Sequence, residues 1–266
     1  MALNMIVTAK QVIDTEMPAS AMSIDDTATQ VVTPPTFPPI INGFDEYAME
    51  AALRLKDSVG GNVTVLSVGE QFNVDIMRKT LAMGADRLIL CQDPAFVNLA
   101  DSFATAQILA AAIGKIGEYD LILSGRQASD WDNAQTPLFL AELLGLPCLT
   151  LAQKIEAADD KLTVEQVVPD GYIVSETTLP ALVTVSNELG EPRYPTMRNI
   201  MAANRKRPTT WKLSDLALDA AVLTPQLEVL EVTFPERDQE CEMIEAEDGA
   251  TAGRQLAIKL HEAGLI

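Results

Sequence analysis

Histidine is almost missing from this chain: His261 is the only one among 266 residues. A histidine-rich metal site is excluded, and a lone histidine so near the end argues against a Ser/His/Asp triad. Cysteine is scarce too. Cys91, Cys148 and Cys241 lie far apart, are odd in number and form no C-x-x-C pair. Zinc, iron–sulfur and disulfide-framework readings lose their main support. Reduced thiols fit a cytoplasmic or matrix-like compartment, and we expect a cytoplasmic protein. No stretch approaches the ~18 apolar residues that span a bilayer, so no membrane insertion is expected. The opening Met1-Ala2-Leu3-Asn4-Met5-Ile6-Val7 has no basic flank and reads as no signal peptide. Basic residues are few. Lys and Arg number 19 against 38 Asp and Glu, a net −19 that repels phosphate backbones and excludes nucleic-acid binding by the chain as a whole. Neither G-x-G-x-x-G nor a Walker A loop occurs, so the common dinucleotide and P-loop fingerprints are absent.

What is present is a well-supplied core: 48% of the residues are apolar, enough for one large domain or a domain with an appendage. Short apolar runs alternate with helical patterns. Strands are expected at 6–9, 63–68, 88–91 and 121–124. Helices are expected at 45–57, 71–83 and 101–116, with another ending near Leu144 before Gly145. Continuous apolar strands separated by helices predict an α/β fold, a parallel sheet covered by helices on both faces. Beyond Pro147 the pattern changes. Strands at 161–168 and 172–178 form a hairpin about Pro169-Asp170-Gly171. A strand at 181–185, a helix near 196–205, a late strand at 227–232 and a terminal helix at 249–263 complete the reading.

Such a sheet puts its ligand crevice at the carboxyl ends of the strands, where Thr8 and Val68 stand. Ser124-Gly125-Arg126-Gln127-Ala128-Ser129-Asp130-Trp131-Asp132-Asn133-Ala134-Gln135-Thr136 joins a strand to a helix. Gly125 permits close approach to the backbone, and the N–H groups of the turn can face an anion. Thr136 before Pro137 suits an N-cap, with Asp132 as a rival. An ordinary connecting loop explains the same residues. Asn42-Gly43-Phe44-Asp45 opens the first helix and serves either as a cap or as a contact to a purine edge or ribose. From Arg193 to Lys212 there are six basic residues and no acid, either a solvated face or a contact for phosphate or an acidic partner.

These segments converge on a family. The stretches Ala9-Lys10-Gln11-Val12, Asn42-Gly43-Phe44-Asp45-Glu46-Tyr47-Ala48 and Leu81-Ala82-Met83-Gly84-Ala85-Asp86-Arg87 match it in order. So do the 125–136 loop and Glu191-Pro192-Arg193-Tyr194-Pro195 with Asn199-Ile200-Met201. Over essentially its whole length the chain resembles the β subunit of electron transfer flavoproteins. The resemblance implies an adenine-nucleotide-binding, Rossmann-like domain over residues 1–186, hairpin 161–178 included. Residues 187–266 would be a recognition loop and extension contacting an α subunit. It implies a heterodimer whose FAD is held mainly by the α subunit, with AMP bound structurally in the β cleft. Thr8, Asn42, Gly43, Phe44, Asp45, Val68 and residues 125–136 would line that cleft. An acyl-CoA or other flavin dehydrogenase would be the donor and a quinone oxidoreductase or similar protein the acceptor. Leu189, as an exposed leucine at a loop tip, would dock partners together with Glu191, Arg193 and Tyr194. No catalytic residue and no metal ligand is expected.

The pattern departs from the family in places. Gly43 stands where Pro is usual, Ser129 replaces an aliphatic residue, Trp131 is bulky and Pro137 follows the loop. Gly125-Arg126-Gln127 with Leu140-Ala141-Glu142 resembles the electron-bifurcating branch, which holds a second FAD in β and uses NADH. Glu191-Pro192-Arg193-Tyr194 resembles the simple carriers. Two rivals come from other classes, beside a purely structural subunit with an empty cleft. One is a stand-alone adenine-nucleotide-binding module, which the long second half opposes. The other is an ATP-pyrophosphatase-like enzyme, opposed by the missing second glycine after Ser124-Gly125.

Overall fold

In the computed structural model residues 2–97, 100–235 and 241–266 are described. The chain opens with β1 (Leu3–Thr8). The short strands β2 (Gln11–Val12), β3 (Ser23–Ile24), β4 (Val31–Val32) and β5 (Ile40–Ile41) pair as β2 with β5 and β3 with β4. Then come α1 (Gly43–Val59), β6 (Gly61–Gly69), α2 (Val74–Met77), α3 (Lys79–Met83), β7 (Arg87–Gln92), α4 (Ser102–Ile116), β8 (Leu121–Gly125) and α5 (Thr136–Leu144). The later part holds β9 (Cys148–Ala158), β10 (Lys161–Val168), β11 (Gly171–Thr178), β12 (Ala181–Val185), α6 (Met197–Ala203), β13 (Thr209–Trp211) and α7 (Gly249–Glu262).

One nine-stranded sheet runs in the order β11-β10-β9-β12-β8-β1-β6-β7-β13. From β9 to β13 every pairing is parallel, and β10 and β11 add antiparallel at one end. The expected α/β class is observed. Alternate strand residues enter two cores. Met5, Val7, Val65 and Leu90 pack with Ala48, Met49 and Leu53 of α1 and with Leu81 of α3. Ile6, Leu66, Ile89 and Ile122 pack on the other face with Ile108, Leu109 and Ala112 of α4 and with Leu140 of α5. Burial on both faces is why these strands read as unbroken apolar runs.

Several elements differ from the sequence reading. The helix expected at 71–83 is two short helices, capped at Asn73, whose Oδ1 accepts from Asp75 and Ile76 N–H, and broken at Arg78. The strand expected at 227–232 does not form. The segment joins no strand of the sheet, and Leu227 N–H instead donates to Asp101. Two strands of the nine-stranded sheet, and the four two-residue strands β2 to β5, have no counterpart in the sequence reading. β9 mixes Gln153, Lys154 and Glu156 into its run, and β13 is three residues long. The chain divides into compact units at Met1–Val232 and Thr233–Ile266. Leu189, Ala203 and Leu216 are buried with the sheet cores, so residues 187–232 belong to the first unit. Within the second unit, Asp248 caps α7 by accepting from Thr251 N–H at 2.7 Å.

Candidate nucleotide cleft

Chain order along the sheet reverses at β1: β6 and β7 lie to one side, β8 and β12 to the other. Loops leaving β1 and β8 therefore diverge and open a crevice at the carboxyl ends of the strands. A cavity lies there, holding about 710 Å³ of empty space with the open solvent at its mouth included.

Its floor is built from strand ends. Thr8 closes β1, Ser67 and Val68 lie at the end of β6, and Ser124 and Gly125 end β8. Thr8 Oγ1 donates to Ser124 Oγ at 2.7 Å. The Ser67 hydroxyl is buried with no hydrogen-bond partner among the described residues. A buried hydroxyl without a partner is costly, and a cavity-lining one is the kind of group a ligand satisfies. Ser102 and Thr105 from the first turn of α4 line the opposite wall.

Asn42, at 1% exposure, occupies the cap position of α1, yet its side chain makes no cap bond. Its Nδ2 donates to Gln127 O at 2.8 Å, and its Oδ1 accepts from Ser129 N–H at 3.2 Å. Asn42 thus holds the 125–135 loop, and both of its amide atoms are engaged in doing so. Asp45 ties three elements together. It accepts from Lys10 N–H at 2.7 Å and from Gly125 N–H at 3.1 Å. Burial pushes its carboxyl up to about 7, against the opposing pull of the Lys10, Asn42 and Gly125 hydrogen bonds. Gly125 is required by this contact. A Cβ there would meet Asp45 Oδ1 at 2.5 Å and the Phe44 carbonyl carbon at 2.7 Å. Helix α1, and not a ligand, makes the close approach.

Loop residues divide between wall and scaffold. Gln127, Ala128, Trp131, Asn133, Ala134, Gln135 and Thr136 line the cavity with Thr8, Asn42, Asp45, Val68 and Gly125. Gly43, Phe44, Arg126, Ser129, Asp130 and Asp132 do not. Arg126 stacks over the Phe44 ring at 5.0 Å and holds Gln127 Oε1 through its Nε. Asp130 pairs with Lys10 Nζ at 2.7 Å, and Asp132 accepts from Gln127 Nε2 at 2.7 Å. Asn133 reaches across to Ala100 O at 3.1 Å. Trp131 is 42% exposed at the cavity wall. Asp132 and Ala134 adopt positive φ, 51° and 54°. Gln135, in the right-handed region, is the cap residue of α5, so neither Thr136 nor Asp132 caps it. A left-handed residue followed by a right-handed one turns consecutive N–H groups the same way, an anion-binding geometry.

Lys10, Ser67, Ser102 and Thr105 were not anticipated, and Ser124, which opens the 124–136 segment, lines the cavity as well. The strand-end argument that picks out Thr8 and Val68 also reaches Ser67 and Ser124. Nothing in the sequence marks Ser102 and Thr105.

The residues expected to dock partners do not share one environment. Leu189 is 8% exposed and packs in the core, while its carbonyl accepts from Arg54 Nη1 at 2.8 Å. It is no exposed tip. The turn Asn187–Leu189 folds the side chain inward, so its truncation would cost stability. Arg193 is paired internally with Glu50 and Asp57. Glu191 and Tyr194 are exposed, Tyr194 at 90%. Of the basic run, Lys206 Nζ donates to Ala85 O, whereas Arg198, Arg205 and Arg207 stand at the surface. Among the described residues no helix is long and apolar enough to cross a membrane, and no group of His, Cys, Asp and Glu could hold a metal.

A family model described as the electron transfer flavoprotein domain matches residues 38–216. An electron transfer flavoprotein subunit beta of Thermoanaerobacterium thermosaccharolyticum is 41% identical over 218 residues, covering 82% of this chain and 81% of its own. Its counterpart in Bacillus subtilis is 35% identical over 227 residues, 85% of this chain and 88% of that one. The Caffeyl-CoA reductase-Etf complex subunit CarD of Acetobacterium woodii is 39% identical over 217 residues, 81% and 80% of the two chains. With a domain match of that length and relatives aligned over most of both chains, this protein belongs to the electron transfer flavoprotein family, as a subunit of the beta type.

Proposed function

We propose that this chain is the β half of a heterodimeric electron carrier and that its cleft binds AMP as a structural ligand. The observation that carries the reading is the cavity at the strand ends, with the buried, unpartnered Ser67 hydroxyl in its wall. The residues fit an adenine nucleotide. Hydroxyls of Thr8, Ser67 and Ser124 offer bonds to a ribose, Trp131 and Val68 offer apolar surface to a base, and the turn at Ala134 and Gln135 offers N–H groups to a phosphate. No side chain there needs to act as acid, base or nucleophile. FAD, held mainly by an α subunit, would supply the redox chemistry when bound. Electrons would come from an acyl-CoA or other flavin dehydrogenase and leave to a quinone oxidoreductase or similar acceptor, in the cytoplasm. Donor contact would fall on Tyr194 and on the exposed Met197 and Met201 of α6, with Glu191 beside them.

A second reading, a bifurcating complex with a second FAD in this cleft and NADH as reductant, draws on Trp131. That side chain is placed at the cavity wall, half-exposed, where it could stack on an isoalloxazine. The test is a count of ligands released from the heterodimer on denaturation, by chromatography and mass. One FAD with one AMP is expected. Two FAD and no AMP would select the bifurcating reading, and neither ligand in a folded complex would overturn both.

A further inference from the structure

The segment proposed to meet the donor turns large side chains to solvent, although its helix α6 lies against α3. Tyr194, Met197 and Met201 are 90%, 74% and 59% exposed. Further anchors stand at its two ends, and the residues ahead of α6 depend on the near one. At the far end, Ala203 is buried and Lys206 Nζ donates to Ala85 O at 3.3 Å. At the near end stands Glu50, a carboxylate of α1 at 5% exposure. It accepts from Arg193 N–H at 3.1 Å, from Arg193 Nε at 2.8 Å and from Arg193 Nη2 at 3.3 Å. Arg54 Nε donates to its other oxygen at 2.9 Å, and Arg193 Nη1 also reaches Asp57 at 2.9 Å.

A buried carboxylate is expensive unless it is fully paired. Here both oxygens are taken, by one main-chain and three side-chain donors. Burial would raise this carboxyl, but the bonds from Arg193 and Arg54 outweigh it and hold it below its ordinary value. Surface ion pairs contribute little, and a buried one costs desolvation that its bonds must repay. The task is legible from the next residue: Tyr194, the first fully exposed aromatic of the segment, follows the clamped arginine directly.

We infer that Glu50 is a positioning residue, which through its fork with Arg193 fixes the 191–201 segment in a donor-ready conformation before the donor arrives. This rests on the reading of that segment as the donor contact. Preorganisation of this kind lowers the ordering cost of binding, and so acts on affinity, not on the electron-transfer step itself.

The test uses the heterodimer carrying Glu50→Gln, which keeps volume and removes charge. Arg193→Lys, at the more exposed end, serves as a second variant that keeps charge and loses the fork. Hydrogen exchange is read without any donor. Turnover is then read with a short-chain acyl-CoA dehydrogenase reduced by butyryl-CoA. In both variants, exchange should speed up at amides 191–201 and stay unchanged in β1, β6 and β8. KM for the dehydrogenase should rise about tenfold, with kcat and released-ligand content unaltered. Unchanged exchange at 191–201, or a uniform rise across the whole chain, would overturn the inference. Tyr194→Ala separates it from the reading beneath it. If that variant raises KM while the clamp variants do not, the clamp fails and the contact stands. If neither Tyr194→Ala nor the clamp variants alter KM, the contact itself is wrong.

Discussion

Asp45 shows how one side chain can join the parts of a cleft. Its two oxygens receive N–H groups from the end of β1 and the end of β8, and it sits in the first turn of α1. Burial dominates its titration and lifts it from 3.8 to about 7. The sign follows from proton binding. Between those two values the folded chain keeps a proton that the unfolded chain has released, so this group's contribution to stability falls as pH rises and levels off above about 7. Replacing Asp45 by Asn removes that dependence. Denaturation of wild type and Asp45→Asn across pH 4 to 8 should therefore show the wild type losing ground steadily up to neutrality, by roughly 4 kcal/mol at most. A difference that does not vary with pH would mean that Asp45 titrates normally. The sequence showed that Asn42 and Asp45 open a helix at the cleft. It could not show that Asn42 gives up the cap role to hold the loop, because its partners lie 85 and 87 residues away.

At the scale of elements, helix ends position most of the cleft. Helix α4 contributes Ser102 and Thr105, and Asp101 sets where it starts. Asp101 Oδ1 accepts from Phe103 and Ala104 N–H, and Oδ2 from Gln226 and Leu227 N–H, at 2.6 and 3.2 Å. One carboxylate caps the helix and tethers the late segment. Burial raises its carboxyl, but the four N–H donors prevail and lower it. Asp101→Ala should cost about 2 kcal/mol, a cap plus stranded donors, measured by urea denaturation. Because the folded value lies below 3.8, the penalty should be complete at neutral pH and vanish as the pH falls through that folded value. A penalty that persists in strong acid would assign the loss to packing instead. The starts of α1 and α4 and the ends of β1, β6 and β8 were readable from periodicity and punctuation, whereas the cap of α5 falls on Gln135 and on neither Thr136 nor Asp132. β9 was not, since its exposed Lys154 and Glu156 break the apolar run and Leu151 turns at φ 57°. The inward fold of Leu189 was equally hidden. An exposed loop leucine and a buried one look the same in sequence, and the Arg54 and Glu50 contacts that decide between them lie about 140 residues away.

Across the whole molecule, a net charge of −19 works against the ligand assigned to the cleft. An incoming nucleotide phosphate meets a repulsive field, and Lys10, the cation in the wall, is already paired with Asp130. The local groups that favour the phosphate are then main-chain N–H donors, which act at short range and are little screened. This gives binding a definite salt response. Long-range repulsion is screened while the local bonds persist, so affinity for AMP should rise modestly as ionic strength increases. Ligand-linked stability provides the readout. In a heterodimer stripped of nucleotide, AMP at a hundred times its Kd should stabilise the folded state by about 2.7 kcal/mol. For a chain of this length that is a rise of roughly 5–10 °C in Tm. Inorganic phosphate at the same concentration should give little, because the hydroxyls at the strand ends and the apolar wall would go unused. If affinity falls with salt instead, Lys10 has exchanged Asp130 for the phosphate and the cleft binds its ligand as an ion pair. If FAD stabilises the stripped complex more than AMP does, the cleft belongs to a second flavin, and Trp131 becomes the side chain to replace next.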